Sequence, residues 1–184
     1  GSMSQEQLAL TQSFPRLIDE LTNPSDSDGD TRPDHLPVED LNIGVISTDM
    51  GTAGYRVSTC ANSEVGDNGC FKNAPDPTVT GCAATYPAFL SRNEANVDVY
   101  DATQMASDFT CIATLGTTGC GFEQQLKAMR AATSINPMTG TCNTGFFRDD
   151  AVLALVFVTD EEDCSVRPDH TEMFDQSRTD LGHL

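Results

Sequence analysis

The residues of this sequence best suited to chemistry are carboxylates, and they gather in two places. Thr159-Asp160-Glu161-Glu162-Asp163 follows the most apolar stretch of the chain. Four consecutive acids repel one another unless water or a cation neutralises them, and hard oxygen donors of this kind suit magnesium, manganese or calcium. The second place is Asp26-Ser27-Asp28-Gly29-Asp30-Thr31-Arg32-Pro33-Asp34. Asp26, Asp28 and Asp30 stand at alternating positions with Asp34 four residues on. When such a loop curls, its carboxylates converge on one ion at ~2.3–2.6 Å, the calcium–oxygen distance. Groups for catalysis are sparse by comparison. His35, His170 and His183 are tied to no nucleophile by any motif. Cys120, in Gly-Cys-Gly, could be a thiolate favoured by a helix N-terminus, but a disulfide to Cys111 is the simpler use.

These side chains need elements to hold them. Leu10, Phe14, Leu17, Ile18 and Leu21 recur at helical spacing and predict a helix over Leu8–Leu21, with Pro15 expected to kink or break it. Asn23 to Asp40, rich in Asp, Pro and Ser, reads as a long loop. Asn42 to Thr48 reads as a buried strand. Phe122, Leu126, Met129 and Thr133 predict a second helix, entered through the Gly-rich Gly116–Gly121. Ala151 to Val158 is apolar on both alternating faces, as a central parallel strand must be when helices cover both sides of the sheet. Strand, loop, helix and strand in this order predict an α/β fold: an open, mostly parallel sheet flanked by helices, with the two strands neighbours or near-neighbours and right-handed crossovers. Residues 52–101 carry Gly, Asn, Pro and cysteines without sustained period and read as an irregular, disulfide-bearing insertion.

Beyond periodicity, Phe109-Thr110-Cys111, Gly119-Cys120-Gly121-Phe122-Glu123-Gln124-Gln125-Leu126 and Val158-Thr159-Asp160-Glu161-Glu162-Asp163-Cys164-Ser165 resemble a cysteine-containing branch of the von Willebrand factor A family, found in secreted bacterial lipoproteins. That family's metal-ion-dependent adhesion site coordinates one divalent ion through a D-x-S-x-S loop, a Thr loop and an Asp loop. Gly1-Ser2-Met3 looks like the tail of the first loop, with Ser2 as its final serine. Thr117 and Thr118 both stand where the Thr loop would be, and Asp160 stands for the Asp loop. The resemblance implies magnesium or manganese at these residues, with an open position that captures a carboxylate from a partner protein. The leading Asp, the first Ser and their strand are missing, so the domain is expected to be incomplete at its N-terminus. Glu161 replaces the family's usual glycine. Separately, Asp26–Asp34 is similar to the D-x-D-G-D-G-x-x-D repeats of extracellular calcium-binding modules, with Thr31 in place of the turn glycine.

Composition bounds the rest. A chain of 184 residues is expected to form a single domain spanning 1–184. With 10 Lys and Arg against 28 Asp and Glu, the net charge of -18 repels nucleic acid and anionic lipid and favours cations or basic protein surfaces. Seven cysteines without a C-x-x-C pair fit an oxidising compartment, which predicts a secreted or envelope-anchored protein with at least two disulfides; Cys111 with Cys120 is the first pair expected, because their short separation makes closure easy. No stretch approaches the ~20 apolar residues of a membrane span. The reading that follows is a divalent-metal-dependent protein-binding module rather than an enzyme. Two alternatives stand beside it: a metal-dependent hydrolase using the Asp160–Asp163 carboxylates, and a structural calcium-binding extracellular domain.

Overall fold

The computed structural model describes residues 3–135 and 140–178. The chain divides into two compact units: Gln5–Val45 with Lys72–Leu115, and Ile46–Phe71 with Gly116–Leu184 and the N-terminal Gly1–Ser4.

The first of these units is built around helix α1 (Ser4–Thr22), strands β1 (Leu41–Ile43) and β2 (Leu90–Arg92), and helix α2 (Ala102–Ala113). α1 covers the whole predicted span, and Pro15 lies inside it without ending it. From α1, Ile18 is fully buried, while Leu10 and Phe14 pack beside it; Phe14 stacks on Phe109 of α2. Leu17, which the apolar stripe assigned to the core, is 44 % exposed. α2 has a capping residue in Asp101, whose side chain accepts from the Gln104 amide at 2.8 Å. Met105, Phe109 and Ile112, spaced by four and three, bury its inner face, as helical periodicity requires. Leu90 from β2 completes this core, and Cys82 pairs with Cys111.

In the second unit, helix α3 (Gln125–Arg130) runs into a π-helical turn at Ala131–Ile135, and a 3₁₀ turn covers Thr171–Phe174. The predicted Phe122–Thr133 helix is thus present in its central and C-terminal part. Its core is small: Met50, Ala128 and Ala131, with Ile46 against them. Phe174, 1 % exposed, meets the edge of Phe122 at a centroid distance of 5.3 Å. Polar links replace apolar mass here. Asn143, fully buried, donates from Nδ2 to the Gly69 carbonyl at 2.9 Å and accepts on Oδ1 from the Phe71 amide at 2.9 Å. Cys60–Cys120 and Cys70–Cys142 staple the same unit.

Three expectations are overturned. The sheet among the described residues is two-stranded and antiparallel, Leu41 opposite Arg92 and Ile43 opposite Leu90, so the fold is not an open, mostly parallel α/β sheet. β1 takes two residues of the predicted Asn42–Thr48 strand, Asn42 and Ile43, together with Leu41 before it, and pairs with β2, which lies within residues 52–101. Ala151 to Val158 is neither strand nor core: it is irregular, with Val152 97 % and Val156 73 % exposed. A Val- and Leu-rich run becomes a strand only where neighbouring strands satisfy its backbone, and no described residue does so here. Finally, Cys111 and Cys120 do not pair with each other. Cys111 lies on the buried side of α2 beside Cys82, and Cys120 belongs to the other unit. Sequence closeness lost to helix geometry, because Cys111 is fixed inside α2 while Cys120 follows the turn beyond it. The expectation of at least two pairs is met by three, and Cys164 is the thiol left over.

Candidate functional site

The loop after α1 is drawn shut at its base. Glu20, in the last turn of α1, accepts from the Ser25 amide at 2.9 Å and from the Ser25 hydroxyl at 2.8 Å, which hold its carboxyl below the ordinary range. The Asp34 amide donates to the Ser25 carbonyl at 2.8 Å, so Ser25 and Asp34 form a neck. Between them the chain turns through left-handed conformations at Gly29 (φ 78°) and Thr31 (φ 71°). Asp26 organises the turn from inside. Its Oδ1 accepts from the amides of Gly29 at 2.7 Å and Asp30 at 3.1 Å, and its Oδ2 from Thr31 at 2.8 Å.

One carboxylate oxygen from each of Asp26, Asp28 and Asp34 lies within 4.8 Å of the others. Two ligands of one ion can be no farther apart than twice the metal–oxygen distance, about 4.6–5.2 Å for calcium. The three are close enough to be candidates for sharing an ion of that size. Asp30, the fourth acid named by the spacing, is outside this group; its Oδ1 accepts from the Arg32 amide at 2.8 Å. All three converging residues are exposed, so water can complete a coordination shell. Glu20 and Ser25, which close the neck, carry no spacing signal that would have marked them in the sequence.

The second acidic stretch is arranged differently. Asp163 is a capping group: its Oδ1 accepts from the Leu126 amide at 3.0 Å, and the Ser165 hydroxyl, which donates to that oxygen at 2.8 Å, accepts from the Lys127 amide at 2.8 Å. It thereby satisfies amides left over in the first turn of α3. Asp160 and Glu161 are exposed and lie near Glu123, a residue the sequence did not mark. Glu123's carboxyl is pushed up chiefly by burial and further by Asp160 and Glu161, against hydrogen bonds from the Thr48 and Thr159 hydroxyls. Gln125, 6 % exposed, donates from Nε2 to the Thr159 hydroxyl at 2.8 Å and to the Glu161 carbonyl at 3.3 Å. The Cys164 thiol is also raised, by burial first and then by Asp163, Glu161, Glu123 and Glu162, which makes it a poor nucleophile.

Of the residues assigned to the adhesion site, Thr117 and Thr118 are exposed in the turn before Cys120, and no hydrogen bond among the described residues joins either to Asp160. Ser2 and His183 lie outside the described residues. His35 Nδ1 lies 2.8 Å from the Leu36 carbonyl, and His170 is exposed between Asp169 and Glu172. A third acid, Asp49, sits near Cys60 and Cys120, but those sulfurs pair with each other, and its oxygens accept from the Gly51 amide at 3.0 Å and the Cys120 amide at 3.2 Å. It anchors backbone.

Comparison with known proteins finds no match to a family model, to a curated protein or to a solved structure. Three cysteine pairs at disulfide distance and acidic groups close enough to share a cation are what the described residues present. No helix among the described residues is long and apolar enough to cross a membrane.

Proposed function

We propose that this chain is an exported, disulfide-bonded binding module whose Asp26–Asp34 loop holds a calcium ion. The observation that carries the reading is the convergence of Asp26, Asp28 and Asp34 to within 4.8 Å on an exposed loop. Three like charges so close repel by an amount that a divalent cation reverses. Carboxylate oxygens with water at the open positions are the donor set calcium prefers. Asp26 is already oriented by three amides, so little rearrangement is needed on binding.

In this loop calcium acts first on folding. The loop joins α1 to β1, and an ion clamped across its neck opposes local opening between them. Export supports the same reading: the cysteine pairs persist in an oxidising compartment, where calcium is abundant enough for sites of ~10⁻⁴–10⁻³ M affinity. A protein ligand is the expected partner of so acidic a surface, through basic groups.

Thermal unfolding with and without calcium tests the proposal. A free ion at about ten times its dissociation constant is expected to add about 1.4 kcal/mol, raising Tm in wild type but not in Asp34→Asn. An identical Tm in chelator and in millimolar calcium would remove the proposal.

A further inference from the structure

The segment Ala151 to Val158 combines three properties rarely found together at a protein surface. It is apolar throughout, it is exposed along most of its length, and beyond Ala151 its backbone makes no hydrogen bond to a described residue. Val152, Leu153, Leu155, Val156 and Phe157 are between 47 % and 97 % exposed. The Ala151 amide donates to the Arg148 carbonyl, but from Val152 to Val158 no backbone hydrogen bond reaches any described residue. Unpaired amides and carbonyls next to β-branched and aromatic side chains are what a sheet edge offers to an incoming strand. Large apolar patches on soluble proteins mark interaction sites.

The flanking charges say what kind of strand fits. Asp149 and Asp150 precede the segment, and Asp160, Glu161, Glu162 and Asp163 follow it. A second copy pairing here, parallel or antiparallel, sets carboxylates against carboxylates at both ends. An anionic membrane meets the same repulsion. A strand with basic ends meets attraction at both.

We propose that Ala151–Val158 is an acceptor for strand addition, taking an extended, β-branched segment of a partner polypeptide that carries Lys or Arg at both ends. The eight positions span about 26 Å as a strand. Main-chain hydrogen bonds supply affinity, Val and Leu side chains on either face supply apolar burial, and the carboxylates at the two ends fix the partner's length and polarity. The segment and the calcium loop belong to different units of the chain, and the strand-addition proposal does not rest on the ion.

The probe is a synthetic peptide of four Val-Thr repeats with two lysines at each end, followed by fluorescence anisotropy against the whole chain. Saturable binding is expected, at least tenfold weaker when the terminal lysines are replaced by glutamates. Leu155→Pro, which removes one amide from the middle of the segment, is expected to weaken binding at least tenfold and to leave the unfolding midpoint unchanged. Four results overturn the proposal: no saturable binding, binding indifferent to the terminal charges, concentration-dependent dimerisation in sedimentation that Leu155→Pro abolishes, or unfolding of the chain by Leu155→Pro, which would put the segment inside the core.

Discussion

The Thr31 amide donates to Asp26 Oδ2 at 2.8 Å from a backbone held at φ 71°, so a β-branched residue keeps a conformation that costs it about 1–2 kcal/mol in order to complete the turn around Asp26. Glycine would adopt the same angle without that penalty, although it loses more entropy on folding. Thr31→Gly is therefore expected to stabilise the chain slightly, by up to about 1 kcal/mol in urea unfolding, and to leave calcium affinity equal or stronger. Weaker calcium binding in this variant would show that Thr31 contributes more than its backbone.

A second expectation concerns Asn143. Its amide is fully buried and makes bonds to the Gly69 carbonyl, the Phe71 amide and, at 3.3 Å, the Ala132 carbonyl. Asn143→Ala leaves these backbone groups without the partner that bridges them, at about 1–3 kcal/mol for each group left unsatisfied. A loss of about 2–4 kcal/mol in chemical unfolding is expected. A loss below 0.5 kcal/mol would mean that water enters and replaces the amide.

The cysteine pairs make a third. The Cys82–Cys111 closure spans 29 residues and Cys70–Cys142 spans 72, for which chain entropy gives about 3.6 and 4.4 kcal/mol. Replacing both members of either pair by Ser is expected to lower stability by several kcal/mol. Non-reducing peptide mapping checks the pairing itself: a Cys111–Cys120 peptide would contradict it.

A fourth follows from Glu123, whose carboxyl lies above its ordinary 4.5, first because it is buried and then because Asp160 and Glu161 are near. A carboxyl with a raised folded value binds its proton more tightly in the folded chain, so stability falls as pH rises from about 4.5 through that value. Glu123→Gln removes the penalty. Its Tm is expected to exceed wild type at pH 7, and the difference to shrink as pH falls below the ordinary value. A variant less stable than wild type at pH 7 would show that the bonds from Thr48 and Thr159 outweigh burial.

How much of this was legible in the sequence depends on the range of the forces involved. α1 and α3 were visible because an apolar stripe is a local signal. α2 carries an equally local signal, with Asp101 as cap and Met105, Phe109 and Ile112 as its stripe, but it starts directly where the irregular 52–101 stretch ends and its stripe is short. Ala151–Val158 misled because continuous apolarity states what a segment can bury and not whether strands are there to receive it. The closeness of Asp26, Asp28 and Asp34 was readable only in part from spacing, because the same alternation also names Asp30, which stands outside the group. The neck formed by Glu20, Ser25 and Asp34 was not, since it depends on where α1 stops. Asp163 illustrates the same limit: its carboxylate looked like a ligand in a run of four, and it caps α3 across 37 positions of sequence.

Titration calorimetry with calcium tests the central claim most directly. Wild-type chain is expected to bind one ion per molecule through the Asp26–Asp34 loop, with affinity reduced at least tenfold by Asp28→Ala and by Asp34→Ala and unchanged by Asp160→Ala. No heat of binding in wild type, or binding that survives Asp28→Ala and disappears with Asp160→Ala, would contradict it.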